Sequence, residues 1–170
     1  MTWSNLTLVL GGARSGKSLH AEALVTAHPP PWFYVATASA FDREMAARIE
    51  EHKRRRDHGW RTVEAPVALG KALAEAPLDA PVLVDCLTLW LTNLMLEEHG
   101  LAAAIEALEL AVEARRGPTV LVSNEVGLGI VPESALARTF RDEAGRLHQR
   151  LAARAGHVLF MVAGIPMIVK

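Results

Sequence analysis

The chain has little cysteine and almost no net charge. Its single cysteine, Cys86, excludes a disulfide framework and any zinc site made only of cysteines within the chain. The 18 basic and 19 acidic side chains leave a net charge of −1, so no overall field attracts nucleic acid or an anionic membrane. We therefore expect partners other than nucleic acid or a charged lipid surface.

Long hydrophobic runs are also missing. The charge-free stretch 158–169 is too short to cross a bilayer, and Gly164 and Pro166 interrupt it. The apolar run 6–10 follows no basic leader and passes straight into glycines, unlike a signal peptide. We expect a soluble, cytoplasmic protein with no membrane insertion.

What is present is ordinary globular composition, with 51% hydrophobic and 22% charged residues in 170. A chain of this length buries about 70% of the surface that its unfolded form exposes, so it needs no disulfide or metal to stay folded. No repeat, low-complexity segment or linker divides it. The length and composition predict a single domain over residues 1–170.

Short apolar runs alternate with helical patterns. The pattern predicts strands at 6–10, 32–37, 61–64, 81–85, 119–123, 158–163 and 167–169, and helices at 17–27, 42–56, 67–76, 87–96, 101–115 and 134–155. The last helix carries an apolar stripe of Leu136, Phe140, Ala144, Leu147 and Leu151. Such alternation predicts an α/β fold whose mainly parallel sheet is covered on both faces. The final two strands lie too close for a helical crossover, which predicts an antiparallel edge strand.

A phosphate-binding motif lies between the first strand and the first helix. The motif G-x-x-x-x-G-K-[ST] is matched by Gly11, Gly12, Ala13, Arg14, Ser15, Gly16, Lys17 and Ser18. Glycines let successive N–H groups point inward at a helix N-terminus, Lys17 reaches β/γ-phosphates, and the Ser18 hydroxyl ligates Mg²⁺. The alternative is a glycine-rich turn that binds nothing. Motif and context together favour nucleotide phosphate binding.

An acid follows a buried strand where open parallel sheets bind ligands. Asp85 ends the run 81–85, and its carboxylate is placed to hold Mg²⁺ directly or through water. The alternative is that Asp85 caps the following helix. Asn124 and Glu125 also follow a strand, where they either line a pocket or form a structural turn around Gly127 and Gly129.

One histidine stands out by its neighbours. On a helix, His52 shares a face with Met45 and Ile49, and the basic run 53–56 follows it. A neutral imidazole is a competent nucleophile, and arginines neutralise charge that develops on a phosphate. The alternative is a core histidine beside a solvated basic face. Spacing alone leaves both interpretations open.

Together these stretches resemble a known family. In order along the chain they read GGARSGKS, HAEAL, YVATA, DREMAARI, WRTVEAP, NEVGLGIVPE and ARTFRDEAGRLHQRLA. They closely resemble the bifunctional adenosylcobinamide kinase / adenosylcobinamide-phosphate guanylyltransferase family of cobalamin biosynthesis. The resemblance runs from Leu8 to the C-terminus and implies a P-loop NTPase-type three-layer domain, in a family whose members can form homotrimers.

The resemblance implies two reactions and a set of site residues. A nucleoside triphosphate, ATP or GTP, phosphorylates adenosylcobinamide; a histidine then attacks the α-phosphorus of GTP, and GMP passes to the phosphorylated corrinoid. The family's nucleophile falls on His52, and Mg²⁺ acts with Lys17 on the departing pyrophosphate. The implied nucleotide contacts beyond the phosphate loop are Thr37, Ala38, Ser39, His52, Lys53, Arg54, Arg55, Glu64 and Asp85.

Two other functions stay open on the residues alone. One is a small-molecule kinase that uses only the phosphate loop, with no covalent nucleotidyl step. The other is a non-enzymatic nucleotide-sensing module whose apolar helix 87–96 docks a partner. A kinase of this kind transfers γ-phosphate without labelling of the protein by the α-phosphate of GTP. A sensing module associates with its partner in a GTP-dependent way and turns over no corrinoid.

Overall fold

The computed structural model describes residues 2–38 and 58–170. The predicted helix 42–56 lies outside the described residues. So do Ser39, His52, Lys53, Arg54 and Arg55 of the predicted site.

Seven strands form one sheet in the order β3-β2-β4-β5-β1-β6-β7. Their bounds are β1 Trp3–Gly11, β2 Trp32–Ala36, β3 Trp60–Glu64, β4 Val82–Asp85, β5 Thr119–Asn124, β6 Ala155–Val162 and β7 Ile165–Ile168. Every neighbouring pair is parallel except β6 and β7, which are antiparallel. The predicted α/β class, the mainly parallel sheet and the antiparallel edge strand are confirmed.

Five helices are found in the described part of the chain. They are α1 Lys17–Thr26, α2 Leu69–Glu75, α3 Leu87–Leu96, α4 Leu101–Ala114 and α5 Ala135–Arg154. Each lies within a few residues of a predicted helix. None of these helices is long and apolar enough to cross a membrane.

The sheet has a buried cluster of side chains on each face, which gives three layers. On β1, Leu8 and Leu10 enter the cluster covered by α2–α5, whereas Val9 enters the cluster that contains Ala21 and Val25 of α1. Neighbouring side chains on a strand point to opposite faces, so a strand covered on both sides is apolar throughout. This explains the continuous apolar runs in the sequence.

The apolar composition of α3 has the same cause. Leu87, Leu91 and Leu94 are buried, and the buried Trp90 donates its indole N–H to the carbonyl of Val67 at 2.8 Å. This helix packs against β5 and α5. Its apolar side chains therefore build the core, which disfavours the hypothesis that the helix is a docking surface for a partner.

Two details of the last third differ from the sequence-based expectation. The turn between β6 and β7 is Ala163–Gly164, with φ 51° and 81°, so Pro166 lies inside β7 rather than in the connection. An edge strand tolerates proline because one side of its backbone needs no partner. Leu136, the first member of the predicted stripe on α5, is exposed, because the core contact begins further along that helix.

The parallel strands bring their carboxyl ends to one edge of the sheet. Gly11 lies opposite Asn124 on one side and Met161 on the other, and Ala36 lies opposite both Glu64 and Asp85. Ligands of open α/β sheets bind at this edge. The register therefore places the described members of the predicted site along a single edge.

Candidate active site

The phosphate loop joins β1 to α1, and its backbone needs glycine at two places. Gly11 has φ 154°, and a Cβ there would lie 2.7 Å from the carbonyl oxygen of Met161 and from Ser15 Oγ. Gly16, the N-cap of α1, has φ 94°, which favours glycine. The first turn of α1 carries no acidic residue, so no side chain of that turn offsets the positive end of the helix dipole. The loop thus has the form of an anion site.

Lys17 is folded against this loop. Its side chain is buried, and its ammonium donates hydrogen bonds to the Gly12 carbonyl and to Ser15 Oγ. Burial lowers the pKa of Lys17, and the nearby Cys86 and Asp85 partly oppose that shift. The Gly12 carbonyl and the Ser15 hydroxyl therefore hold the ammonium charge at the loop. Ser18, the second residue of α1, is half-buried beside it.

Asp85 ends β4 with its carboxylate partly exposed at the ligand-binding edge. The buried Tyr34 donates its hydroxyl to Asp85 Oδ2 at 3.2 Å. The N-cap of α3 is Cys86, and no side chain accepts a hydrogen bond there, so helix capping does not explain the acid. The hydroxyl of Tyr34 instead fixes one carboxylate oxygen.

Thr37 joins the ends of β2 and β4. Its hydroxyl donates to the Cys86 carbonyl and accepts from the Cys86 N–H, both at 2.7 Å, and the side chain is fully buried. Asn93 of α3 donates its amide N–H to the Thr37 carbonyl at 2.9 Å. The Thr37 hydroxyl therefore has two partners within the protein, which hold the residue after Asp85. Its expected contact with the nucleotide stays a prediction.

Glu64 and Ala38 lie at the same edge, further from the phosphate loop. Glu64 ends the outermost parallel strand, and its side chain is exposed; Ala38, half-buried, follows the end of β2. The sheet order puts β2 between Glu64 and Asp85. Both residues thus lie at the carboxyl-end edge of the sheet, and their contact with a nucleotide stays a prediction.

Between Asp85 and the phosphate loop, the end of β5 is tied into the site. The Asn124 side-chain amide donates to Thr88 Oγ1 at 3.0 Å, and the Glu125 N–H donates to the Gly11 carbonyl at 2.9 Å. Glu125 Oε1 accepts from the N–H of Gly127 at 2.6 Å. For Glu125 this favours the structural turn that the sequence left as an alternative to pocket lining.

Sequence reasoning missed a buried histidine behind this turn. His148 of α5 shares a 2.7 Å hydrogen bond between its Nε2 and Ser123 Oγ, and its Nδ1 lies 3.8 Å from Glu125 Oε2. Burial lowers the pKa of His148, with Glu125 opposing the shift. Ser123, His148 and Glu125 follow one another in the order of a serine–histidine–acid triad. Ser123 is fully buried, however, so no substrate reaches its hydroxyl. His148 lies in a polar helix, so the sequence around it gives no indication that it is buried.

Comparison with known proteins addresses what this edge does. A family model described as "Cobinamide kinase / cobinamide phosphate guanyltransferase" matches residues 7–169. The chain belongs to this family. A relative from Pseudomonas aeruginosa, named bifunctional adenosylcobalamin biosynthesis protein CobP, is 51% identical over 166 residues, which cover 96% of each chain.

Two enterobacterial relatives agree with that assignment. The proteins from Escherichia coli and Salmonella typhimurium, both named bifunctional adenosylcobalamin biosynthesis protein CobU, are 44% and 45% identical over 181 residues. Each alignment covers 97% of this chain and 99% of the relative. The family resemblance seen in the sequence is confirmed. The chain is a nucleotide-using transferase of cobalamin biosynthesis with cobinamide kinase and cobinamide phosphate guanylyltransferase activity.

Proposed function

We propose that this enzyme phosphorylates adenosylcobinamide with ATP or GTP and then transfers GMP from GTP through a guanylyl-histidine at His52. The observation that carries the proposal is the phosphate loop, with Lys17 buried against it and the Asp85 carboxylate at the same sheet edge. Family membership supplies the acceptor. The covalent step and its histidine rest on the resemblance of the segment 42–52 to the family.

The nucleotide lies with its phosphates in the loop. The loop N–H groups and the N-terminus of α1 bind the negatively charged phosphates. Lys17 leaves the Gly12 carbonyl to contact β/γ-phosphate oxygens. The remaining contacts follow the sheet edge and the segment after β2, at Thr37, Ala38, Ser39, Lys53, Arg54, Arg55, Glu64 and Asp85. For Thr37 we expect a main-chain contact, because its hydroxyl is engaged by Cys86.

In guanylyl transfer, a neutral ring nitrogen of His52 attacks the α-phosphorus of GTP. A nitrogen–phosphorus bond forms, the bond to the bridging oxygen breaks, and pyrophosphate leaves in the phosphate loop. A phosphate oxygen of cobinamide phosphate then attacks the same phosphorus, and the imidazole is released. Dividing the transfer into two displacements lets one nucleotide site serve a bulky acceptor. Arg54 and Arg55 neutralise charge on the α-phosphate.

The residues at the edge fit a magnesium ion carried by the nucleotide. Tyr34 holds one oxygen of Asp85, which leaves the other available, and Ser18 offers a hydroxyl beside the loop. In residues 2–38 and 58–170 no three His, Cys, Asp or Glu side chains form a metal cluster. Mg²⁺ typically takes one or two protein ligands and completes its shell with phosphates and water. When bound, it supplies charge neutralisation on the phosphates.

Phosphorylation uses the same loop. The acceptor hydroxyl of adenosylcobinamide attacks the γ-phosphorus, and its oxygen forms a bond to that phosphorus as the bond to the β-phosphate oxygen breaks. The hydroxyl proton is released to water, and the nucleoside diphosphate leaves against Lys17. By family resemblance we also propose a cytoplasmic enzyme that assembles as a homotrimer.

Labelling with radioactive GTP tests the covalent step. Incubation with [α-³²P]GTP and Mg²⁺ is expected to leave an acid-labile, base-stable label on the protein. His52→Ala is expected to abolish the label. His99→Ala is the matched control, because His99 is exposed and pairs with Glu97 on the surface; it is expected to label like the unchanged enzyme.

The same assay separates the alternatives. A His52→Ala enzyme that labels fully removes His52 from the mechanism. Transfer of γ-phosphate to adenosylcobinamide without any α-phosphate label identifies a kinase with no covalent step. Lys17→Ala is expected to lose triphosphate binding, and unchanged GTP affinity in that variant would contradict the placement of the phosphates in the loop.

A further inference from the structure

Four exposed, large aliphatic side chains lie within nine positions of the chain, in the loop that joins β5 to α5 and in the first turn of α5. Leu128 is 82% exposed, Ile130 98% and Val131 62%. Leu136, in the first turn of α5, is 54% exposed. We call these four residues the apolar tip. Single exposed aliphatic residues are common, but four within nine positions are typical of a binding surface.

The loop is fastened at both ends, so its tip has a defined place. At its start, the Glu125 N–H donates to the Gly11 carbonyl at 2.9 Å, and the Gly127 N–H donates to Glu125. At its end, the Arg138 guanidinium donates to the carbonyls of Pro132 and Glu133 at 2.9 and 2.6 Å. The polar groups thus make the internal contacts, and the apolar side chains face solvent.

The segment that carries the tip starts at the phosphate loop. Glu125 is hydrogen-bonded to Gly11, the first residue of that loop, and Leu128 follows only three residues later. Three residues span at most about 10 Å, so Leu128 lies within about 10 Å of the residue that is bonded to the phosphate loop. An acceptor oxygen must come within about 3–3.5 Å of the phosphorus it attacks. A bulky acceptor therefore has to contact what borders the loop.

The chemistry of the tip matches that acceptor. Residues 126–132 contain no charged side chain, and the exposed Gly129 has no side chain that would shield its backbone N–H and C=O groups. Cobinamide is a large macrocycle with apolar methyl groups and neutral amide arms. Aliphatic side chains suit the first, and exposed backbone amides suit the second. A nucleic acid or an acidic peptide would need cations, which this segment lacks.

We propose that the apolar tip is the docking surface for the corrinoid acceptor in both reactions. The proposal rests on the proposed function, since the acceptor is the molecule to which phosphate and GMP are transferred. Contact with Leu128 and Ile130 holds the macrocycle, and this directs its reacting arm toward the phosphate loop. Nucleotide binding does not need these side chains.

A double variant, Leu128→Ser with Ile130→Ser, tests the docking surface. Equilibrium dialysis measures cobinamide binding by its visible absorbance, and the kinase assay gives the KM for cobinamide. Both the Kd and the KM for cobinamide are expected to rise about tenfold or more, because the variant lacks two aliphatic side chains that the docked macrocycle would cover. The Kd for GTP is expected to stay within about twofold. Leu110→Ser is the control, since Leu110 is also an exposed aliphatic residue, 60% exposed, and belongs to α4 rather than to this loop.

Each outcome decides the matter. Unchanged cobinamide affinity in the double variant, with normal binding by the original enzyme, overturns the docking surface and leaves the proposed function intact. Light scattering that shows loss of an oligomer in the double variant alone identifies the tip as a subunit contact and also overturns it. An original enzyme that binds no cobinamide contradicts the proposed function itself. Ile130→Ala, a milder change, is expected to raise the Kd by a smaller factor; no rise counts against the proposal.

Discussion

The hydroxyl of Thr37 offers a sharp test of how the ligand-binding edge is held together. Thr37→Val keeps the shape of the side chain and removes only the hydroxyl that bridges the N–H and C=O of Cys86. The Cys86 carbonyl still accepts from the Trp90 N–H at 3.2 Å, so the change leaves one buried donor, the Cys86 N–H, without that partner.

The magnitude follows from these two contacts. A buried donor left unsatisfied costs about 1–3 kcal/mol, and loss of the second hydrogen bond to the carbonyl costs about 1 kcal/mol. We expect Thr37→Val to lower the free energy of unfolding by about 3 kcal/mol. Thr37→Ser keeps the hydroxyl and loses one buried methyl, which costs about 1 kcal/mol.

Urea unfolding measures the difference. With a slope of about 2 kcal/mol per molar urea, the valine variant is expected to unfold about 1.5 M earlier than the original protein, and the serine variant about 0.5 M earlier. Because Asp85 precedes the held residue, GTP affinity is expected to fall for valine and not for serine. Equal unfolding midpoints for the two variants would refute the bridging role of the hydroxyl.

Three further predictions concern other buried groups. Burial lowers the pKa of His148, so the unfolded chain takes up a proton near pH 6.5 and the folded chain does so only at lower pH. The free energy of unfolding is therefore expected to fall as the pH drops below 6.5. In urea titrations His148→Gln is expected to flatten this pH dependence, and an unchanged dependence would count against the prediction. Tyr34→Phe is expected to weaken Mn²⁺ binding to the GTP complex about two- to tenfold through Asp85, measured by electron paramagnetic resonance, and equal affinity would contradict the positioning role. Arg115 is buried and donates to the main-chain carbonyls of residues 73, 77 and 80. Arg115→Ala is expected to lower the free energy of unfolding by about 3 kcal/mol and to leave GTP affinity unchanged. A loss below about 1 kcal/mol in thermal unfolding would refute this.

The phosphate loop and the strand ends were predictable because their signals are local. The glycines and Lys17 occupy eight consecutive residues, and the runs at 6–10 and 81–85 are apolar because both faces of those strands are buried. Alternation of strands and helices then restricts the order of the fold, since parallel strands need crossover connections. The same local reasoning indicates an acidic residue, Asp85, at the carboxyl end of a buried strand.

Other parts of the site carried no local signal. Leu136 fits the helical period of α5, yet it is exposed, because the period shows which residues share a face and not where the core ends along that face. Glu125 was predicted to line a pocket or form a turn, and only its bond to Gly127 distinguishes the two. His148 lies in a helix rich in charge, so nothing near it in sequence indicates a buried serine as its partner.

The sequence alone thus determined the α/β alternation, the phosphate loop and the family, because each is written in contiguous residues. Only the tertiary structure decided which side chains support the site. Tyr34 and Asp85 are 51 residues apart, Thr37 and Cys86 49, and Ser123 and His148 25. These pairs meet because strand register and helix packing set distances that no local pattern encodes, and the hydrogen bonds that result hold the carboxyl-end edge of the sheet in place.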